Sequence, residues 1–253
     1  MAARPEILSL IPARGGSKGI PRKNVLPVAG KPLIAWSIGH ALACPRITRV
    51  IVSTDDEEIA AVAANYGADV PFLRPSEFAQ DLSPDIDAFR HALDWLTKHE
   101  RYECELVVHL RPTGPVRRVE QITAAIDRIL SFPEADSLRS VTWPTQTPYK
   151  MWHIDDGWLT PCLRVPDVEE PYSMPRQILP EVYWQNGYVD IIRPRAIRAG
   201  RMAGDRVLPF VVEEPVYEID YLEDLPAVEK ALCDLEAGSR SAASRRHVHR
   251  YPV

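Results

Sequence analysis

The chain of 253 residues has only four cysteines, and they lie far apart without a C-x-x-C pair. This spacing excludes a disulfide framework and a paired-cysteine zinc site, and it is typical of reduced thiols in the cytoplasm. Long apolar runs are also missing: none reaches the ~20 residues of a membrane-spanning helix, and the run over 7–11 is too short for a signal peptide. We therefore expect a cytoplasmic protein without a membrane partner.

An excess of positive charge is missing as well, because 30 Lys and Arg face 35 Asp and Glu, for a net charge of −5. A domain that binds nucleic acid is net basic or has a basic stripe, so nucleic acid is not an expected partner. The acidic residues are unevenly placed: none lies between Glu6 and Asp55, a span that holds seven Lys and Arg residues. A local positive field of this kind is what a polyphosphate ligand requires.

Apolar runs of strand length alternate with amphipathic helical segments, and the length and hydrophobic content suit one globular domain. Strands are predicted over 7–11, 49–53, 106–110, 187–192 and 207–212, and helices over 33–43, 57–66, 86–98, 119–132 and 222–235. This alternation predicts an α/β fold, a mainly parallel sheet with helices on both faces. Ligands of such sheets bind beyond the carboxyl ends of the strands, so the loops after Ile11, Ser53 and Leu110 are the first candidates for a site.

A proline-rich segment interrupts this alternation at about residues 140–186, where seven prolines break up regular structure. We interpret it as an insertion within a single domain that spans residues 1–237. From Gly238 onward the sequence is rich in Ser and Arg, a composition that predicts a disordered tail over 238–253. His247 and His249 are interpreted as incidental residues of that tail and not as a metal site.

Three glycines separate the basic residues in the loop that follows the first predicted strand. Glycine lets the backbone approach an anion closely, while arginine binds phosphate oxygens in pairs and lysine supplies a point charge. The loop is neither of the two common phosphate motifs. Gly30-Lys31 is followed by Pro32 where a P-loop needs Ser or Thr, and the dinucleotide pattern G-x-G-x-x-G is absent.

The run from Ile11 to Asn24, IPARGGSKGIPRKN, closely resembles the signature of the acylneuraminate cytidylyltransferases, or CMP-sialic acid synthetases. The resemblance continues in order over about residues 6–235, through the segments GKPL at 30–33, VSTD at 52–55, LRPSE at 73–77, RPTGP at 111–115, PRQ at 175–177, NG at 186–187 and EID at 218–220. It implies a fold like that of the nucleotide-diphospho-sugar transferases. The implied reaction joins CTP to an acidic nine-carbon sugar, giving a CMP-sugar and pyrophosphate. It also implies a homodimer in which the insertion is the dimerisation arm.

The resemblance assigns a role to each matched residue. Arg14 and Lys23 would be catalytic, by stabilising charge that develops at the α-phosphate. The nucleotide would be bound by Ala13, Arg14, Gly15, Ser17, Lys18, Asn24, Arg74, Asp81 and Ser83. The sugar would be bound by Arg111, Thr113, Lys150, Arg176, Gln177, Asn186 and Tyr188. For Asp81 a second interpretation stays open, a turn or helix-capping residue before Pro84.

Two carboxylates complete the expected site. Glu218 and Asp220 alternate on a predicted strand end, so their side chains should point the same way, and a pair of carboxylates opposite a triphosphate suits Mg²⁺, with Mn²⁺ as a substitute. The resembled family commonly has Asp at both positions. Glu218 is one methylene longer, which leaves direct or water-mediated ligation open.

The identity of the sugar stays open at this stage, because the chain departs from the sialic acid enzymes around the sugar. Arg111 stands where they often have Gln, Gly114 where they often have Ser, and the residues 188–190 are Tyr-Val-Asp in place of Ala-Ile-Tyr. Legionaminic, pseudaminic and deaminated nonulosonic acids, or another 3-deoxy-2-keto sugar acid, are the alternatives. The general base is not identified.

Two other classes of protein are alternatives to this family. A glycosyltransferase would have a metal-binding D-x-D near Leu110, where this chain has Arg-Pro-Thr. A non-catalytic protein that binds nucleotide sugars is the rival from a different class. Such a protein would not need the Arg14, Lys23 and Asp220 side chains together.

Overall fold

The computed structural model describes residues 4–247. Its strands are β1 Ile7–Pro12, β2 Pro27–Val28, β3 Lys31–Pro32, β4 Arg49–Ser53, β5 Leu106–His109, β6 Ser137–Thr142, β7 Trp152–Asp155, β8 Trp158–Pro161, β9 Trp184–Ile192 and β10 Val207–Val211. Its α-helices are α1 Leu33–Ala43, α2 Glu57–Asn65, α3 Asp85–Glu100, α4 Val119–Leu130, α5 Pro194–Arg198 and α6 Leu225–His247. All five predicted strands are present, and four of the five predicted helices lie within two residues of their predicted ends.

Six strands form the central sheet, in the order β10-β6-β9-β5-β1-β4. β1 pairs in parallel with β4 and β5, β10 pairs in parallel with β6, and β9 runs antiparallel to both of its neighbours. The predicted α/β class with a mainly parallel sheet is therefore confirmed. β9 is the exception because the chain reaches it through the long insertion and not through a helical crossover.

The helices cover both faces of the sheet, as predicted. Successive residues of a strand point to opposite faces, and in β1 Ile7 and Ile11 pack with α1, α2 and α4, whereas Leu8 and Leu10 pack with α3 and α5. These four side chains are at most 1 % exposed. Burial on both sides explains why β1 is an uninterrupted apolar run.

The insertion is shorter than the predicted 140–186, because both of its ends belong to the sheet. Val141 pairs with Gln185 and Thr142 with Trp184, so β6 and β9 extend into the proline-rich segment. Between them, residues 143–183 contain the β7–β8 hairpin and short 3-10 turns. β6 was not predicted, since its polar residues Arg139 and Ser140 interrupt the apolar pattern.

The last helix departs most from its prediction. A 3-10 turn over Leu222–Asp224 precedes α6, which continues to His247, so residues 238–247 are helical where a disordered tail was predicted. Ala and Arg have high helix propensity, and extending an existing helix avoids the cost of nucleation. The rest of the predicted tail, 248–253 with His249, lies outside the described residues. None of the helices within 4–247 is long and apolar enough to cross a membrane.

Candidate active site

A cavity of about 430 Å³ opens at the carboxyl ends of β1 and β5. Three segments line it: the cationic loop after β1, the segment before α3, and the turn after β5. Ten of the predicted site residues lie there together: Arg14, Ser17, Lys18, Lys23, Asn24, Arg74, Asp81, Ser83, Arg111 and Thr113. Parallel strands place these loops at one edge of the sheet although they are up to about a hundred residues apart in sequence.

The cationic loop, which follows β1, is held in shape by hydrogen bonds within the loop and to the segment before α2. The Asn24 side-chain amide donates a hydrogen bond of 3.0 Å to the Arg14 carbonyl, and the Gly15 N–H donates one of 3.0 Å to Asp55. Gly15 is needed because a Cβ there would lie 2.8 Å from an oxygen of Asp56. Ala13, also predicted to bind nucleotide, is buried, and its N–H donates to the Ser53 carbonyl. Ala13 and Gly15 thus shape the loop from outside the cavity lining.

One of the four basic residues in the cationic loop, Arg22, forms ion pairs within the fold. Arg22 has a left-handed backbone, with φ of 57°, and its guanidinium pairs with Asp56 and Glu58 at the start of α2. The carboxylates hold the pKa of Arg22 above its usual range. Arg22 therefore ties the loop down and leaves Arg14, Lys18 and Lys23 to face the cavity.

Asp81 lies in the turn over 80–83, as one of its two interpretations predicted, but it does not cap a helix. Its carboxylate lies 2.8 Å from the Lys18 ammonium and 3.6 Å from the Arg14 guanidinium, while α3 begins after Pro84 without a side-chain cap. The hydrogen bond from Lys18 lowers the pKa of Asp81. Lys18 and Asp81 are exposed and Arg14 is half-buried, and ion pairs that solvent reaches are weak. A multiply charged phosphate can therefore displace Asp81 from the two cations.

Lys23 is held more tightly than the other loop cations. Its side chain is 13 % exposed, and its ammonium donates to the Ile219 carbonyl at 2.8 Å and to an Asp220 oxygen at 3.1 Å. Ile219 is fully buried in a small core that also contains Ile20. Gly19 has no side chain because a Cβ would lie 2.5 Å from the Asp220 carbonyl. The loop and the segment with the two carboxylates are thus packed directly together.

Arg74 enters the cavity from the buried side. Its side chain is 5 % exposed, and its nearest carboxylate, Asp55, lies 3.8 Å away. Burial lowers its pKa, and its Nε has no hydrogen-bond partner among the described residues. A buried guanidinium with a free donor is suited to a ligand that presents an acceptor.

Glu218 and Asp220 do not lie on a strand, so that part of the prediction is wrong. Residues 212–221 are irregular, and the Ile219 N–H is bonded to the Thr113 carbonyl at 2.8 Å, outside any ladder. Neither carboxylate is among the residues that line the cavity; Asp220 is connected to it through its ion pair with Lys23. Burial and the nearby Asp220 raise the pKa of Glu218, which is half-buried, whereas Asp220 is exposed. Within the described part of the chain, no group of three or more His, Cys, Asp and Glu is arranged to hold a metal.

Two of the predicted sugar-binding residues are buried outside the cavity. Tyr188 is buried in the main core, and its hydroxyl accepts a hydrogen bond of 2.5 Å from the Arg118 N–H. Asn186 is also buried, and its carbonyl oxygen accepts from the Tyr188 N–H at 3.1 Å. Neither residue lines the cavity. The reason is an irregularity in the β6–β9 pairing together with Gly187 at φ of 63°, which turns Tyr188 away from the face on which Asp190 lies.

Three other predicted sugar-binding residues lie on the insertion, away from this cavity. Arg176 and Gln177 line a separate cavity of about 320 Å³ beside Trp143, and Arg176 donates to the Pro144 carbonyl at 2.6 Å. Lys150 ends an exposed 3-10 turn.

Sequence reasoning missed two buried polar residues beside the cavity. His109 lines it, and Asp190 is fully buried, 2.7 Å from an Arg111 nitrogen. Each is the only polar residue in an apolar run, LVVHL and YVDII. A single polar residue within a run that is otherwise buried is the signal that could have found them.

Comparison with known proteins agrees with this geometry. The sequence model of a family described as cytidylyltransferase matches residues 8–149, from β1 through the turn after β5 and into the insertion. The chain is 36 % identical over 153 residues to an N-acylneuraminate cytidylyltransferase of Escherichia coli, covering 60 % of this chain and 35 % of that protein. It is 47 % identical over 123 residues to a pseudaminic acid cytidylyltransferase of Campylobacter jejuni, covering 49 % and 53 %. The chain thus matches only about a third to a half of the length of these relatives.

Among solved structures, the fold is similar to that of a CMP:2-keto-3-deoxy-manno-octonic acid synthetase complexed with CTP, with a TM-score of 0.67 at 15 % identity. The alignment covers 90 % of this chain and 99 % of that one. At this identity the similarity concerns the fold alone. The family model, however, matches more than half of the chain and contains the cationic loop, Arg74 and Arg111. The chain therefore belongs to the cytidylyltransferase family.

Proposed function

We propose that the protein transfers the cytidylyl group of CTP to an acidic nine-carbon sugar of the sialic acid type and releases pyrophosphate. The observation that supports this most is the convergence of Arg14, Lys18 and Lys23 with the buried Arg74 on one cavity, in a chain of the cytidylyltransferase family. The relatives that match it act, by their names, on N-acylneuraminate and pseudaminic acid.

In the proposed reaction a sugar hydroxyl oxygen attacks the α-phosphorus of CTP. The new O–P bond forms as the bond to the β-phosphate oxygen breaks, pyrophosphate leaves with that electron pair, and the hydroxyl proton is released. Most of the catalysis is positioning and charge stabilisation. Arg14 and Lys18 exchange Asp81 for phosphate oxygens, and Lys23 is held by Ile219 where it can meet charge that develops at the α-phosphate.

We include Mg²⁺, or Mn²⁺ in its place, in this proposal. Glu218 and Asp220 flank Ile219, and burial together with the negative charge of Asp220 raises the pKa of Glu218. A bound cation would offset that repulsion. Two carboxylates completed by substrate phosphate oxygens are a usual Mg²⁺ environment. Glu218 and Asp220 would hold the ion. When bound, it would neutralise negative charge on the phosphate oxygens.

We also propose that the protein is a homodimer that uses the insertion as its arm. Large apolar side chains crowd the surface of residues 143–184: Trp158 is 78 % exposed, Ile154 75 % and Leu159 61 %. Contiguous exposed apolar surface marks an interaction site. Lys150, Arg176 and Gln177 lie on the same insertion. In the proposed dimer each arm would reach the partner's cavity, where these residues would contact the sugar.

Removal of the arm's apolar patch tests the dimer. Ile154 and Leu159 face each other across the hairpin, and the double variant Ile154→Ser/Leu159→Ser is expected to raise the dimer dissociation constant at least tenfold, as measured by sedimentation. The kcat/KM for the sugar should fall with the loss of dimer. Tyr66→Ser, an exposed apolar residue on another surface, is the matched control and should change neither. A parent protein that is monomeric at micromolar concentration contradicts the proposal.

Nucleotide choice tests the cytidylyl assignment. A guanidinium only donates hydrogen bonds, so Arg74 suits N3 of cytosine, which accepts, and not the N3–H of uracil, which donates. We expect CTP to be used at least tenfold better than UTP, ATP or GTP, measured as pyrophosphate release at equal nucleotide concentration. Comparable release with another nucleotide would exclude a dedicated cytidylyltransferase. CTP binding without any release would favour a non-catalytic binding protein.

A further inference from the structure

His109 is a buried polar residue without a partner in the protein. It ends β5, is fully buried and lines the cavity, and neither of its ring nitrogens has a hydrogen-bond partner among the described residues. Its ring packs edge-on against Phe89 with centroids 4.8 Å apart. Buried polar groups are nearly always hydrogen-bonded, and an apolar residue would pack against Phe89 without that cost. One oxygen of the cross-strand Asp190 is likewise without a hydrogen-bond partner among the described residues, and a ligand in the cavity that His109 lines can supply the bond that the protein does not make.

The surroundings of His109 decide its protonation state. Burial, with further contributions from the cations Arg111, Arg139 and Arg117, holds its pKa well below the usual range. Asp190, its cross-strand neighbour, is the acidic group nearest in register. A neutral imidazole has one N–H donor and one acceptor nitrogen. A hydroxyl group can pair with whichever of the two nitrogens faces the cavity, because it can both donate and accept, whereas a methyl group can pair with neither.

Beside His109, the Asp190 carboxylate forms ion pairs with Arg111 and Arg139. Asp190 is the register partner of both His109 and Arg139, so the three side chains stand on the same face of the sheet. An Asp190 oxygen lies 2.7 Å from Arg111 and 2.6 Å from Arg139. Asp190 thus fixes Arg111 at the cavity and acts as a positioning residue. The Nη2 of Arg111 lies 4.0 Å from Asp85, too far for a hydrogen bond, and can donate to a ligand.

We propose that His109 and Arg111 form a subsite for a hydroxyl substituent of the acidic sugar, and that His109 is a specificity-determining residue for it. This inference rests on the proposed cytidylyl transfer. It names the substrate class as sugar acids that present a hydroxyl at this end of the cavity, in preference to those that present the methyl group of an acylated amine. Of these residues, His109 and Arg111 line the cavity, and both have polar side chains.

A matched pair of nonulosonic acids that differ only in a hydroxyl or an acetamido group at one ring carbon tests the subsite. The parent is expected to prefer the hydroxyl member at least tenfold in kcat/KM. His109→Leu should raise the KM for that member at least tenfold, leave the KM for CTP within twofold, and reduce the preference. Its melting temperature should be equal or higher, because the unpartnered imidazole is removed. A purely structural His109 would instead lower stability and leave the preference unchanged.

Further measurements keep the two proposals separate. His109→Gln, which retains a donor and an acceptor, is expected to keep part of the preference, and it replaces His109→Leu if that variant fails to fold. Turnover with equal or greater preference for the acetamido member overturns the subsite and leaves cytidylyl transfer standing. If neither member is turned over, binding of the hydroxyl member is measured by thermal shift. An increase in melting temperature for the parent but not for His109→Leu supports the subsite, although not the proposed cytidylyl transfer. No stabilisation overturns it, and CTP titration then reports on the proposed function.

Discussion

Asp220→Asn is expected to lower kcat at least a hundredfold, on the order of 3 kcal/mol of transition-state stabilisation. The Asp220 carboxylate lies 3.1 Å from the Lys23 ammonium, and its negative charge contributes to the raised pKa of Glu218. It therefore interacts both with the cationic loop and with the second proposed metal ligand. The variant should fold, because the amide is nearly isosteric and the side chain is 61 % exposed. Chelator should abolish activity of the parent, and Mg²⁺ or Mn²⁺ should restore it.

Matched variants separate a metal role from a role in orienting Lys23. Glu218→Gln should lose less activity than Asp220→Asn, since its longer side chain allows ligation through water. Glu223→Gln, a nearby exposed acid, should lose none. If Asp220 acts through the ion, the Mg²⁺ concentration for half-maximal activity rises in Asp220→Asn, whereas a role on Lys23 alone leaves it unchanged. Retention of most activity at saturating Mg²⁺ would place the metal elsewhere, and Asp55, after β4, becomes the next candidate.

Lys23→Ala is expected to lower kcat far more than it weakens CTP binding, because its charge is held for the transition state. In the structure the ammonium is already satisfied by the Ile219 carbonyl and Asp220, so an added contact with ground-state phosphate yields little. Negative charge that develops at the α-phosphate in the transition state makes the contact of the Lys23 ammonium with the phosphate more favourable than in the ground state. Loss of one such contact typically costs ~3 kcal/mol of transition-state stabilisation.

Lys31→Ala is the matched control, since Lys31 is an exposed lysine of the same region that pairs with Glu236 and stacks on Trp36. Its kcat should equal that of the parent. The measurement is kcat by pyrophosphate release beside Kd for CTP by calorimetry. A Lys23→Ala protein with near-normal kcat and a raised KM would make Lys23 a ground-state anchor only.

Local pattern was sufficient for most of the fold. The predicted strand over 49–53 and helix over 33–43 have the same bounds in the structure, because each is a mostly apolar, largely buried run whose length suits its element. The same reasoning failed at β6, where Arg139 and Ser140 are polar, and beyond Gly238, where composition suggested disorder and the helix continues. β6 is a strand because it pairs with β9 and β10, and residues after 238 are helical because they continue α6. A local sequence pattern contains neither kind of information.

The sequence by itself determined the cationic part of the site: four basic residues and three glycines follow the first strand, and the family resemblance added Arg74. Only the tertiary structure decided how they are used. It turned Arg22 to Asp56, buried Tyr188 in the core, placed the insertion's Arg176 outside the cavity, and set His109 and Asp190 beside Arg111. The physical reason is register. Which side chains meet across β5, β9 and β6 depends on pairing between residues about forty to eighty-five positions apart in the chain. One irregularity in that pairing exchanges the residue that faces the ligand for the one that faces the core.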